Sequence, residues 1–382
     1  MQLALHGGFG EKGRTCIGVV SGGFSLLLDA GVKTSAAGGA DYYPAITAEA
    51  LRTYDAMLVT HGHEDHVAAL GWCLARGLRA PVYMTAQTRR DSEDALAGYA
   101  TAAERACVRS ARIEPLQPRA PLALGPLRIE LGRSGHVAGG VWCVVDDGAV
   151  RFGYCGDMVP ASPVFAMDPL PRCDAVALDA SYADDDVSMH ARAAQVAAWV
   201  QRHARGCMLP TPLYGRSAEL LVALPGPAWL APGLREALVA QAADHDSLAA
   251  GAHAALTARL ALARDWREGM PLPAAPLLCH DAMGLAGPAR ALLEEARNVR
   301  HPVLFTGHLP DGSPGARMVA GGEADWIRLP THPTRSENVA VAARTGAHLV
   351  LGHSCDPSGL ARLAAHVPAL SVDALTGNRI EL

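Results

Sequence analysis

A hexapeptide of histidines and acids, H-G-H-E-D-H from His61 to His66, is the feature that most constrains this chain. It follows an apolar run that ends at Thr60, typical of a strand, and precedes an apolar helical pattern that starts at Val67. A strand-to-helix edge of this kind is where open α/β folds bind ligands. Imidazole and carboxylate groups suit zinc, with manganese as the alternative, and ligands this closely spaced can serve two ions. The hexapeptide therefore predicts a metal site and favours hydrolysis.

Three further candidate ligands lie next to predicted strands. His136 precedes an apolar strand pattern, whereas Asp157 and His353 each follow one. Side chains at strand ends project towards the edge of a sheet, where the hexapeptide is also expected. A single histidine beside a strand is more often a surface residue, but with the hexapeptide these residues make a coherent ligand set.

Length and composition indicate a globular chain with a sizeable core. The 382 residues suffice for two or three domains, or for one domain with a large insertion, and half of them are hydrophobic. No apolar run reaches the ~18 residues of a membrane span. The amino-terminal segment has no basic stretch ahead of an apolar one, and the nine cysteines contain no C-x-x-C pair. We therefore expect a cytoplasmic protein without a membrane segment.

The net charge of −5 gives no overall signature of nucleic-acid binding. This argues against a strong nonspecific binder. It does not exclude a nuclease, because basic residues can line one cleft of an acidic protein.

The pattern of predicted elements changes twice along the chain. Short strands dominate up to about residue 183, and helical patterns punctuated by proline and glycine follow from 184 to 320. Short strands return from 321 to 382, including one predicted at 326–329. The middle segment is therefore predicted to be a second domain.

With these ligands, the chain resembles the metallo-β-lactamase superfamily. Asp29, in L-D-A-G from Leu28 to Gly31, resembles the first motif of that family, whose aspartate braces the ligand loop. The resemblance implies one metal ion bound by His61, His63 and His136, and a second bound by Asp65, His66 and His353. Asp157 would bridge the two ions.

Several segments further along resemble the β-CASP nucleases of that superfamily. The segment from Leu178 to Asp184 resembles their E-S-T-Y-G-D motif, and the G-R-x-x-E-L-L stretch from Gly215 resembles a second motif. The F-T-G segment at Phe305 resembles the one that closes their inserted domain, and His332 matches a further motif histidine. The resemblance implies an α/β fold: an αββα sandwich from residues 1–183 and 321–382, with an inserted α/β β-CASP domain at 184–320.

The same resemblance implies a mechanism and a substrate. Two Zn²⁺ ions would activate a hydroxide, which Asp157 orients, and His332 would contact the scissile phosphate and protonate the leaving oxygen. Asp179 would accept the other N–H of a histidine and fix its tautomer. Arg216 and Arg335 are candidates to bind phosphates, although either could instead cap or cover a helix.

Single-stranded RNA is the expected substrate, because the histidine at position 353 is typical of RNA-directed members. Departures from the family pattern at Pro330, Thr331 and Ala183, together with the acidic charge, also fit an enzyme of short oligonucleotides or of another phosphodiester. Two other functions stay open: a hydrolase of small esters, lactones or phosphoesters, and an inactive relative that binds nucleic acid. A homodimer is expected by analogy alone.

Overall fold

Two large β sheets form the centre of the structure, a computed structural model that describes residues 1–36 and 39–382. The first sheet has the order β19-β1-β2-β3-β4-β5-β6, antiparallel from β19 to β3 and parallel from β3 to β6. Its strands are β1 Gln2–Gly7, β2 Cys16–Ser21, β3 Phe24–Leu28, β4 Ala56–Leu58, β5 Val82–Thr85, β6 Ile113–Leu116 and β19 Arg379–Glu381.

The second sheet has the order β18-β11-β10-β9-β8-β7. Its strands β7 to β10 are antiparallel, whereas β10, β11 and β18 run parallel to one another. They are β7 Leu122–Leu124, β8 Leu127–Arg133, β9 Val141–Asp146, β10 Arg151–Tyr154, β11 Ala175–Asp179 and β18 Leu349–His353.

Side-chain alternation along the strands builds three apolar layers. Leu26 and Leu28 of β3 pack between the sheets, while Leu27 packs outward against helices. In β9, Cys143 packs between the sheets and Val144 packs outward. Because successive side chains of a strand point to opposite faces, strands buried on both faces need nearly continuous apolar sequence. This is the αββα sandwich that the resemblance implied.

Helices cover the outer faces of both sheets. On the first sheet they are α1 Ala48–Leu51, α2 Glu64–Val67, α3 Leu70–Ala75, α4 Ala86–Tyr99 and α5 Ala102–Arg109; on the second they are α12 Arg335–Thr345 and α13 Pro357–Ala364. None of the helices in the described part of the chain has the length and apolarity required to cross a membrane.

A smaller parallel sheet with the order β12-β15-β13-β14 lies within residues 184–320. The buried residues of one apolar cluster all belong to this segment, whereas a second cluster also includes Ala138, Val159, Val164, Phe165 and Leu329. The strands of this sheet and the helices of this segment are β12 Cys207–Pro210, β13 Trp229–Leu230, β14 Arg264–Asp265, β15 Pro276–Cys279, α6 Met189–Arg202, α7 Arg216–Ala223, α8 Leu234–Ala243, α9 Ala252–Leu262, α10 Gly287–Val299 and α11 Pro314–Ala320. The domain limits at 183 and 320 stay predictions.

A two-stranded sheet spans the predicted limit at residue 320. It pairs β16, Leu304–Phe305, with β17, Asp325–Trp326. The strand predicted at 326–329 therefore begins one residue earlier and ends after Trp326. The Ile327 amide still donates to the Phe305 carbonyl at 3.0 Å, a normal length for a backbone hydrogen bond. The backbone thus stays bonded beyond the regular strand.

The parallel strands determine where the polar side chains gather. Strands β3 and β4 end side by side, with Leu28 opposite Leu58, just before Asp29 and Thr60. In the second sheet, Asp179 lies directly opposite His353. Since the carboxyl ends of parallel strands meet at one edge, residues that are far apart in sequence converge there.

Gly31 allows the loop after β3 to approach the ligand helix α2. The Ala30 amide donates to the His66 carbonyl at 2.8 Å, and the Val32 amide donates to the Glu64 carbonyl at 3.0 Å. A Cβ at Gly31 would lie 1.7 Å from the carbonyl oxygen of Asp65. Only glycine therefore fits between the loop and the helix backbone.

We predict that Gly31→Ala lowers the free energy of unfolding by about 1–3 kcal/mol, because the added methyl forces backbone apart in a packed region. Gly98→Ala is the matched control, since nothing lies within 4 Å of that position and it is inside a helix, where alanine is favoured. Urea denaturation measures both variants. Equal stability of the two would contradict this explanation of Gly31.

Candidate metal centre

The hexapeptide spans the end of the loop after β4 and most of α2. His61 lies in the loop, His63 is the residue preceding α2, and Asp65 and His66 belong to the single turn of α2. His61 and His66 are buried, whereas His63 and Asp65 are partly exposed towards a cavity. The loop geometry therefore directs four side chains of six consecutive residues to the same edge of the sandwich.

One group of potential ligand atoms combines His61, His63 and His136 with Asp157. The Nε2 atoms of His61 and His136 each lie 3.7 Å from Oδ2 of Asp157. Nδ1 of His63 lies 3.0 Å from Nε2 of His136. Ligand atoms around a tetrahedral ion with bonds of ~2.1 Å are separated by about 3.4 Å, so these spacings suit a metal ion.

A second group combines Asp65 and His66 with the same Asp157. Nε2 of His66 lies 3.0 Å from Oδ1 of Asp157 and 4.0 Å from Oδ2 of Asp65. The two carboxylate oxygens of Asp157 thus face different groups of ligand atoms.

His353 lies near the second group without joining it. Its ring centre is 6.2 Å from that of His66, and its Nε2 lies 3.1 Å from the carbonyl oxygen of Gly156. It is absent from the clusters of ligand atoms found among the described residues. Its role as a metal ligand stays a prediction.

Asp29 holds the ligand loop by four hydrogen bonds. Its carboxylate accepts the amide of Thr60 at 2.7 Å, the hydroxyl of Thr60 at 2.8 Å, the ring N–H of His66 at 2.8 Å and the hydroxyl of Tyr154 at 2.6 Å. Asp29 is fully buried and has a left-handed backbone, with φ of 58°. Aspartate tolerates this conformation better than most residues, and the four donors stabilise the buried charge.

Two further hydrogen bonds determine which ring nitrogen of His136 and of His332 carries a proton. Nδ1 of His136 donates to the carbonyl of Thr331 at 2.7 Å, and Nδ1 of His332 donates to Oδ2 of Asp179 at 2.8 Å. The Nε2 atoms of both rings are then available to a metal ion or a substrate. Asp179 and His332 also form a third cluster of potential ligand atoms with Asp157.

The unpaired atoms at the centre require a cation. Nδ1 of His66 donates to Asp29, and its Nε2 faces Oδ1 of Asp157 at 3.0 Å, so that two acceptors meet there unless a proton or a metal ion lies between them. Across the described residues, neither of these atoms nor Nε2 of His61 has a hydrogen-bond partner. Buried acceptors that face one another are unfavourable unless a positive charge lies between them. The residues therefore fit a divalent metal ion.

The ionisation of the site agrees with this fit. Burial lowers the pKa of His61 and His136 well below the usual value and that of His63 to about 4, so these rings are neutral, as metal ligands must be. Burial opposes the charged form of His66, but Asp157 and Asp65 raise its pKa well above the usual value. Burial likewise opposes ionisation of Asp157, but His66 and His332 hold its pKa well below the usual range. The centre is thus a strong attractor of positive charge.

A cavity of about 140 Å³ lies against these ligands. It adjoins a groove of about 790 Å³, because both are lined by Lys12, Arg216, His308 and His332. The shared side chains therefore place a lysine, an arginine and two histidines between the groove and the cavity at the ligand cluster.

Lys12 and Arg216 differ from the other two cations that line the groove, Arg328 and Arg362, which pair with Asp185 and Asp184. Neither Lys12 nor Arg216 is within ion-pair distance of an acid in the described residues. Arg216 donates from Nη2 to the hydroxyl of Thr331 at 3.1 Å, while its buried Nε has no partner among those residues. Sequence reasoning missed Lys12, although it is one of only two lysines in the chain.

Arg335 is not brought into either cavity. It begins α12, where it pairs with Asp186, and it does not line the groove or the smaller cavity. This geometry is that of an ion pair at a helix end, the alternative role that the sequence left open for Arg335.

Comparison with known proteins identifies the family. The family model described as metallo-beta-lactamase superfamily matches residues 10–253. The chain belongs to this superfamily. A crystal structure of a protein of unknown function from Enterococcus faecalis V583 matches 100% of the chain and 99% of that protein, with a TM-score of 0.63 and 12% identity. This likeness shows the metallo-β-lactamase fold and nothing further.

Curated relatives confirm the resemblance to the β-CASP branch of the superfamily. Transcription termination factor FttA of Cenarchaeum symbiosum is 24% identical over 250 residues, 59% of this chain and 39% of that protein. Ribonuclease TTHA0252 of Thermus thermophilus is 27% identical over 175 residues, 44% of this chain and 40% of that protein. The matches thus span about two fifths of the length of these relatives.

We predict that Asp157→Asn lowers the metal content of the purified protein, because the amide removes a charge and an acceptor that face both ligand groups. Metal analysis after dialysis against zinc checks this, with an expected loss of affinity of about 10- to 100-fold or more. Asp373→Asn is the matched control, since Asp373 is exposed and distant in sequence from every ligand. Unchanged metal content of Asp157→Asn would contradict the assignment.

Proposed function

We propose that the chain is a two-metal phosphodiesterase that cleaves single-stranded RNA. The observation that carries this proposal is that the cavity at the ligand cluster and the groove share lining side chains, among them the unpaired cations Lys12 and Arg216. A phosphate group bound between the groove and the ligand cluster would lie beside these two side chains.

The metal-binding roles follow from the two groups of ligand atoms. His61, His63 and His136 would hold one ion, Asp65 and His66 the other, with His353 as an additional ligand, and Asp157 would contact both. Divalent ions, Zn²⁺ or Mn²⁺, supply Lewis acidity when bound: they acidify water and neutralise phosphate oxygens.

His332 is the residue that we assign to the leaving oxygen. Its Nδ1 proton is donated to Asp179, and the ring lines the cavity beside Asp157. A proton on Nε2 would therefore be available to the oxygen that departs from phosphorus. Asp179, fully buried, would hold the ring orientation and stabilise the imidazolium form, as the carboxylate partner of a catalytic histidine does.

Lys12 and Arg216 would bind the oxygens of the scissile phosphate. A guanidinium is weakly hydrated and matches the geometry of phosphate oxygens, so a partly buried arginine without an acid partner is suited to an anionic ligand. Four lysines and arginines line the groove against three aspartates, whereas the whole chain has a net charge of −5. The groove therefore has a small excess of positive charge in an acidic chain, which suits a polyanion.

RNA is favoured over DNA by two arguments. One relative carries the name ribonuclease TTHA0252, and another is named probable RNase MJ4 of Methanocaldococcus jannaschii. The histidine at position 353 matches the RNA-directed members of the branch. A hydrolase of small esters would need no groove beyond the 140 Å³ cavity, and an inactive relative would not need to retain the ligand set.

The test uses the metal-loaded protein with end-labelled single-stranded RNA, DNA of the same sequence, duplex RNA and a small lactone. We expect the single-stranded RNA to be cleaved fastest. Removing the proton donor in His332→Ala should lower kcat by about 10²- to 10⁴-fold with metal content unchanged. His190→Ala, at an exposed histidine, is the matched control and should behave as the parent.

Two results would overturn this proposal. One is the absence of cleavage of both RNA and DNA by protein that holds two metal ions per chain. The other is turnover of the lactone that is indifferent to His332→Ala, which would favour the small-molecule hydrolase.

A further inference from the structure

Trp326 is an exposed aromatic side chain held in a fixed orientation. It is 40% exposed and is the only aromatic residue among the large hydrophobic side chains that the described part of the chain exposes. Its indole N–H donates to the carbonyl of Gly307 at 2.8 Å, and its backbone pairs with Phe305. A ring that is both exposed and fixed can stack on a flat ligand without a change of conformation.

Arg328 extends this feature into a row of flat groups, Trp326, Arg328 and Tyr182, which we call the stacking row. The guanidinium carbon of Arg328 lies 5.3 Å from the ring centre of Trp326 and 4.5 Å from that of Tyr182. Its Nη1 donates to Asp185 at 3.0 Å, which fixes the plane of the guanidinium. The row is therefore ordered before any ligand binds.

The stacking row lies in the same groove as the groups assigned to the phosphate. Its three members line the groove of about 790 Å³ together with Arg216 and His332, which also line the cavity at the ligand cluster. The groove thus brings the exposed indole into the same cavity lining as two side chains of the ligand-cluster cavity.

Gly307 connects the phosphate side of the groove with Trp326. The guanidinium of Arg216 lies against Gly307, since a Cβ there would be 2.0 Å from Nη1 of Arg216. The carbonyl of the same glycine accepts the indole N–H of Trp326. A proposed phosphate-binding cation and the exposed ring therefore both lie against the same residue.

We propose that Trp326 is a stacking platform for an unpaired nucleobase of the nucleotide adjacent to the scissile phosphate. Aromatic rings bind single-stranded nucleic acid because every base has a flat π face, whereas the bases of a duplex already stack on one another. The platform would therefore select single strands without reading their sequence. This inference rests on the proposed phosphodiesterase function, whose substrate it specifies.

The first test measures steady-state cleavage of single-stranded RNA by the metal-loaded full chain. Trp326→Ala and Trp326→Leu should raise KM by roughly 10- to 100-fold, the usual effect of losing one stacked base, with little change in kcat. Trp326→Leu keeps apolar bulk without a flat ring, and Trp326→Phe keeps the ring and should stay near the parent. Equal KM values in the parent, Ala and Leu variants would overturn the proposal.

The second test is independent of catalysis and compares adenosine 5′-monophosphate with ribose 5-phosphate by calorimetry. The parent and Trp326→Phe should bind the nucleotide roughly 10-fold or more tightly than the sugar phosphate, and the Ala and Leu variants should bind both alike. If RNA is not cleaved but this preference exists and depends on the ring, the proposed function fails and the platform stands. If RNA is cleaved but the parent shows no preference, the platform is excluded and the proposed function stands.

Discussion

The buried carboxylate of Asp29 is the interaction on which the rest of the centre depends. It binds Thr60, which follows a strand of the first sheet, Tyr154, which ends a strand of the second sheet, and His66 of the ligand helix. One charge thus ties both sheets to the metal-binding loop. A buried carboxylate without hydrogen-bond donors is strongly unfavourable. The four hydrogen bonds to Asp29 therefore form together with its left-handed backbone conformation. The positions of the ligands follow from this junction.

The same bond from His66 to Asp29 explains the chemistry of the centre. It directs Nε2 of His66 at the ionised Asp157, a position that attracts a proton or a metal ion, and the neutral rings of His61 and His136 add further acceptors. A pocket of acceptors attracts cations, whereas the groove beside it carries the unpaired cations Lys12 and Arg216 and suits anions. Metal ions and a phosphate group can therefore occupy adjacent positions, as the proposed hydrolysis of a phosphodiester requires.

Much of the fold and the ligand cluster could be predicted from sequence, because both arise from short-range patterns. The hexapeptide follows an apolar strand, and Asp157 follows another, so that parallel strands bring them to one edge of the sandwich. Strand β1, Gln2–Gly7, was missed even though its residues alternate between buried and partly exposed. Alternation over six residues is a weak signal when glycines follow directly.

The remaining features depend on contacts between segments that are distant in sequence. Nothing near Arg335 indicates that Asp186 neutralises it, and nothing near His353 indicates that its ring approaches the Gly156 carbonyl. Trp326 becomes a candidate only once its bond to Gly307 and its exposure are known. A sequence pattern gives the type of each side chain, but whether a charge is paired or a ring is covered is decided by tertiary packing.

Anomalous diffraction from a crystal of the zinc-loaded protein tests the central claim most directly. The proposal predicts two zinc peaks on opposite sides of the Asp157 carboxylate, one among His61, His63 and His136 and the other beside Asp65 and His66. A single peak, or zinc bound away from Asp157, would contradict the two-metal account.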